Sequence, residues 1–140
     1  MTEAQAREYL GRCRVLFKEA KRLHQLITLE RTNAEHITPN LSGMPMGGGY
    51  GDKVGDAAQR LIELEKTYKA KIRELAAAQA DIEKAIAAAN LKKRETDVLI
   101  MFYVQCRTGA QIASMFSVDD TVIRKNKKSA VMHFAEAQKD

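Results

Sequence analysis

Residues 91–135 read LKKRETDVLIMFYVQCRTGAQIASMFSVDDTVIRKNKKSAVMHFA, and their pattern decides the fold. Arg94 to Tyr103 predicts a first helix, and Thr108-Gly109 interrupts it. Ala110 to Phe116 predicts a short second helix, Ser117-Val118-Asp119 a turn, and Asp120 to about Ala135 a third helix. A short helix, a turn of a few residues and a longer helix is the spacing of a helix-turn-helix. Asp119 suits the N-cap of the third helix, where its carboxylate can accept from free amides of the first turn. Val118 and Ile123 then fall at the two positions of a hydrophobic staple. Ile112, Ala113 and Phe116 give the second helix one apolar face, and the small Ala113 allows a close crossing.

Working outward along the third helix, Ile123, Ala130 and Phe134 fall on one side at about 100° per residue. Thr121, Arg124, Lys125 and Lys128 fall on the other. From Thr121 to Ala135 there are basic residues, including Lys127, and no acidic one. Such a helix is commonly a solvated amphipathic surface. Directly after a short helix and a turn, a basic face is instead the electrostatic footprint of a helix that enters a major groove. The candidate DNA-binding residues are therefore Thr121 and Arg124 for base edges, with Asp120 as a further reader able to accept from a cytosine amino group. Lys125 and Lys128 are the candidates for phosphates. A carboxylate at Asp120 also repels phosphates, which opposes tight binding.

Leu91, Arg94-Glu95, Val98-Leu99, Tyr103, Gln111-Ile112-Ala113, Phe116, Val118 and Ile123-Arg124 resemble region 4 of bacterial sigma factors. The whole chain resembles small phage and prophage proteins that join a helical N-terminal half to a sigma-like C-terminal unit, some of them regarded as late-gene regulators of the ArpU or RinA kind. Leu41-Ser42-Gly43-Met44-Pro45, Gly47-Gly48-Gly49 and Asp52-Lys53 carry the same resemblance. It implies transcription regulation, double-stranded DNA as partner, and contact with RNA polymerase. Asp119-Asp120 departs from the Ser-Arg type pair usual in that pattern.

The 140 residues carry a formal net charge of +5. Residues 91–140 hold +3 of it, residues 1–35 hold +2, and residues 36–90 are neutral. The excess is largest where the groove-reading unit is expected, although a generic basic surface gives the same count. Cys13 and Cys106 are far apart in sequence and lie in helical apolar patterns, which predicts buried free thiols in a reducing compartment. No apolar run approaches membrane-spanning length, and Met1 to Gln5 lacks the basic-then-apolar pattern of a signal peptide. A cytoplasmic protein without membrane contact is the expectation.

Residues 4–35 read as one long helix, with Tyr9, Cys13, Leu16, Ala20, Leu23 and Ile27 forming its stripe and Leu10, Phe17 and Leu26 widening it. Residues 36–52 hold Pro39, Pro45, Gly43, Gly47, Gly48, Gly49 and Gly51, and read as a loop. A phosphate-cradling role for it fails, because Gly51 is followed by Asp52 and Lys53 by Val54 rather than by Gly-Lys-Ser/Thr. Met44, Met46 and Tyr50 are instead expected to pack over the end of a helical hairpin. Residues 53–89 read as a heptad helix about 55 Å long, with Ala58, Leu61, Glu65, Tyr68, Ile72, Leu75, Gln79, Ile82, Ile86 and Ala89 as its seam. Glu65 and Gln79 are polar interruptions of the kind that fix register.

The expected architecture is all-α: a long antiparallel hairpin over residues 1–90, coiled-coil-like, then a three-helix helix-turn-helix unit over residues 91–140. The seam needs the C-terminal unit or a second copy to cover it, so a homo-oligomer is expected.

An active site is not legible. His24, His36 and His133 fall in different segments without ligand spacing, and the cysteines have no zinc-type partners. Ser42, Ser114, Ser117 and Ser129 have no general base by sequence logic. No catalysis, cofactor or metal is expected. Two rival readings stand beside the regulator: a helical scaffold whose C-terminal unit has lost DNA contact, which Asp119-Asp120 favours, and a DNA-packaging adaptor, which a ring-sized oligomer would favour.

Overall fold

A computed structural model describes the backbone of residues 1–41 and 49–138, and side chains over 1–35 and 55–138. Among the described residues every regular element is helical. In chain order these are α1 (Glu3–Leu10), α2 (Arg12–Leu41), α3 (Gly49–Ala88), α4 (Lys93–Leu99), a π-helical turn (Ile100–Val104), α5 (Gly109–Phe116) and α6 (Asp120–Ala137). No helix among the described residues is long and apolar enough to cross a membrane.

The single N-terminal helix expected over residues 4–35 is divided at Gly11. The Thr2 hydroxyl and the Gln5 side chain form a reciprocal capping box at the start of α1. A Cβ at Gly11 would stand 2.9 Å from the Arg7 carbonyl oxygen, so a side chain here would force the backbone at this break to shift. Helix also extends into both sides of the expected loop, to Leu41 and from Gly49. The expected packing of Met44, Met46 and Tyr50 lies outside the residues whose side chains are described.

The chain divides into two units, and the boundary differs from residue 90. One unit comprises Met1–Phe17 with Glu74–Asp140, and the other Lys18–Arg73. The reason is burial. The main core of the first unit joins Ala6, Leu10 and Cys13 to Leu75, Ala78, Ile82 and Ile86, and both sets to Leu99, Tyr103, Val131 and Phe134. Tyr9 stacks on Phe134 with ring centroids 6.2 Å apart. The helix-turn-helix therefore shares its core with α1, the start of α2 and the last four turns of α3.

The second unit is an antiparallel pair formed by the middle of α2 and the start of α3. Glu19 meets Lys71 at 2.9 Å, Arg31 meets Glu65 at 2.9 Å, and Glu30 meets Arg60 at 3.5 Å, so early positions of one helix face late positions of the other. The polar interruption Glu65 is thus a cross-helix ion pair. Among the described residues of this unit, Ala20, Leu23, Ile27 and Ala57 are the buried apolar ones.

Two of the ten expected α3 seam positions, Ala58 and Ile72, face outward, and at both the inner position belongs to the preceding residue. Leu75, Ile82 and Ile86 are buried as expected, and Leu61, Glu65, Tyr68, Gln79 and Ala89 are half-buried, but Ala57 is buried where Ala58 was expected, and Ile72 is 39% exposed. The neighbour of Ile72, Lys71, sits closer in, its side chain 24% exposed and its ammonium on Glu19. A lysine stem can cover apolar surface while its head reaches a carboxylate, which reading by hydrophobicity overlooks. The expectation that both thiols are buried holds for Cys13, whereas Cys106 is half-buried.

Candidate nucleic-acid interface

The interface is assembled from the turn outward. Thr108 caps α5: its hydroxyl accepts from the Gln111 amide at 3.1 Å, and the Gln111 side-chain oxygen accepts from the Thr108 amide at 3.0 Å. This capping box explains why Thr108-Gly109 starts a helix rather than merely ending the preceding one. At its other end α5 closes on Ser117, which is left-handed at φ 55°, ψ 44°. The Val118 amide donates to the Ala113 carbonyl at 3.0 Å and the Ser117 amide to the Ser114 carbonyl at 3.2 Å. These are the two bonds of a Schellman closure, which redirects the chain into the next helix. Asp119 then caps α6, accepting from the Asp120 amide at 2.9 Å. Val118 packs on the cluster of Val98, Ile112, Ala113 and Ile123, so the expected staple is present.

The turn fixes which side of α6 faces the core. Ile123, Ala130, Val131, Phe134 and Ala135 are buried. Asp120, Thr121, Arg124, Lys125 and Lys128 are all exposed. Asp120 lies in the first turn of α6, where a carboxylate stabilises a helix start whether or not a ligand is bound. The five candidate residues thus occupy one helix, and Arg124, Lys125 and Lys128 carry its exposed positive charge.

α4 and the π turn hold this pair in place. The Arg94 guanidinium lies 4.2 Å from the centre of the Phe116 ring, linking α4 to α5. Glu95 is buried between α4 and α6; its Oε2 is 2.6 Å from His133 Nδ1 and accepts from the Ser129 hydroxyl at 3.3 Å. Distant side chains donate to carbonyls of the π turn and of the segment just after it. Arg14 Nη1 donates to Phe102 O at 3.0 Å and Arg107 O at 3.1 Å, and Gln79 Nε2 donates to Val104 O at 2.8 Å. Gln79, the second polar interruption of the α3 seam, is therefore a backbone-capping residue.

Sequence reasoning counted Lys127 among the basic residues of the third helix without giving it a role. It is half-buried, with Nζ 4.0 Å from the centre of the Phe102 ring. Arg14 reaches the same ring at 4.0 Å. Burial pushes the Lys127 ammonium below its usual pKa, and the positive charges of Arg14, Arg7 and Arg124 push it the same way. No sequence signal could have found this cluster, because Arg14, Phe102 and Lys127 come from three separate segments. Among the described residues no three His, Cys, Asp or Glu side chains are placed to hold a metal ion.

Comparison with family models, with curated proteins and with solved structures found no match to the chain.

Proposed function

We propose that the chain is a DNA-binding transcription regulator of phage or prophage type whose α6 enters the major groove of double-stranded DNA. The observation that carries this reading is the division of α6: Thr121, Arg124, Lys125 and Lys128 exposed, Ile123, Ala130 and Phe134 buried, directly after a capped short helix and a closed turn. The phage affiliation and the contact with RNA polymerase rest on the sequence resemblance alone. Thr121 and Arg124 read base edges, and Lys125 and Lys128 hold phosphates. The hairpin unit supplies self-association, a reading supported by exposed Leu29, Ile62 and Ile72 on a unit that buries few apolar side chains.

Selection of bound fragments from a genomic library, followed by footprinting, defines the site. On that site Arg124→Ala costs roughly 1–3 kcal/mol of binding and relaxes preference at one or two base pairs. Lys128→Ala weakens all sequences alike and lowers the salt slope by about one. Neither variant shifts the melting temperature, because both side chains are solvated. A parent protein with no salt-sensitive affinity for any duplex would overturn the reading and leave α6 a solvated surface of a helical scaffold.

A further inference from the structure

We infer that Lys127 and Arg14, gathered on the Phe102 ring beside the exposed basic face of α6, form a phosphate clamp for the duplex backbone that flanks the groove. The inference rests on the DNA-binding reading and extends the interface from α6 to α2, which no helix-turn-helix pattern includes.

Three observations carry it. First, two cations lie 4.0 Å from the centre of one aromatic ring, and among the described residues neither has a carboxylate within ion-pair distance. The ring face offsets part of their repulsion, but a half-buried pair of like charges is stabilised far more by an anion. Second, Arg14 spends Nη1 on the carbonyls of Phe102 and Arg107, while Nε and Nη2 have no hydrogen-bond partner among the described residues. The fork is thus anchored at one end and open at the other, the arrangement by which arginine takes a phosphate. Third, Lys127 follows Arg124 by one turn and precedes Lys128, so the clamp is continuous with the exposed basic face. A backbone phosphate beside the groove is the anion such a position meets. The lowered Lys127 pKa agrees, since burial and the positive charges of Arg14, Arg7 and Arg124 cause it.

The test is fluorescence anisotropy with a random-sequence duplex across a salt series, comparing the parent with Lys127→Gln and Lys127→Arg. Lys127→Gln is expected to lower the salt slope by about one and to weaken binding roughly fivefold at 0.15 M salt, the value of one lost phosphate contact. The loss is uniform across sequences, and Lys127→Arg restores it. A second measurement needs no variant: the Lys127 ammonium pKa, followed by NMR in the parent, rises when duplex is added. If the parent binds duplex while Lys127→Gln binds it with unchanged slope and affinity, or the ammonium pKa ignores the duplex, the clamp is overturned and the α6 reading stands. If the parent binds no duplex, the reading of α6 fails and the clamp with it. A response of the ammonium to inorganic phosphate but not to duplex makes the cluster a small-anion site and also overturns the clamp.

Discussion

Ile72 and Ile82 lie on the same helix and were expected on the same seam, yet Ile82 is 0% exposed and Ile72 is 39% exposed. Truncation to alanine removes three carbons from each. At about 0.8 kcal/mol per buried methylene, the transfer contribution at Ile82 is about 2.4 kcal/mol. The cavity left among Leu10, Cys13 and Phe134 raises the total to roughly 3–4 kcal/mol, within the range for buried Ile→Ala. At Ile72 about three-fifths of that transfer contribution applies, roughly 1.5 kcal/mol, and water fills the space so that no cavity remains. Alanine favours helix over isoleucine by a few tenths of a kcal/mol at both sites, so the difference of about 2 kcal/mol survives. Guanidinium unfolding followed by far-ultraviolet circular dichroism, run at two protein concentrations, measures both variants. Equal losses at high dilution would refute the α3 register described above. A loss at Ile72 that grows with protein concentration instead reports a second copy covering the side chain.

Ser117→Gly relieves a left-handed conformation that costs an L-residue about 1 kcal/mol, so the urea midpoint rises by the equivalent of roughly 0.5–1 kcal/mol; a lower midpoint would contradict the turn geometry. Burial pushes the Cys13 thiol from its ordinary 9.0 up to about 11, and Cys106 and Tyr103 are pushed up likewise. For these groups the folded pKa exceeds the unfolded one, so each contributes stability that is complete below its unfolded pKa and is lost at higher pH; for Cys13 the loss runs from about pH 9 to about pH 11. Lys127 acts in the opposite sense, because its folded pKa is lowered, but it is one group against three. The thermal midpoint therefore falls between pH 8 and pH 11, and an unchanged midpoint would show that the thiols are solvated.

What the sequence made legible was local. Asp119, Val118 and the spacing of Ile123, Ala130 and Phe134 act within a few residues of one another, so the turn, the start of α6 and its buried face could be read directly. The π turn could not, because Ile100 to Val104 is an unbroken apolar run and the groups that use its carbonyls, Arg14 and Gln79, are remote. The α3 register was misread at Lys71 and Ile72, where an ion-paired stem outcompeted a branched apolar side chain for the inner position. A heptad drawn with strict spacing also drifts by about 20° per repeat on a straight helix, which compounds such an error along a long element. Of the candidate site, the exposed α6 residues were legible from periodicity, whereas the Phe102 cluster depends on tertiary packing.

The joining of α1 to α6 has a consequence for how the molecule comes into being. Ala6 and Leu10 leave the ribosome long before the Val131 and Phe134 that share their core. During synthesis the early apolar surface waits, uncovered, for most of the chain. Closing so large a loop is slow even though its entropy grows only logarithmically with length. A fragment cut at residue 91 would carry α4 to α6 with Leu99, Val131 and Phe134 stripped of Leu10 and Ile82. Such a fragment would behave as a partly collapsed, aggregation-prone chain, and α6 reaches its packed form only once α1 and the end of α3 are at hand to cover it.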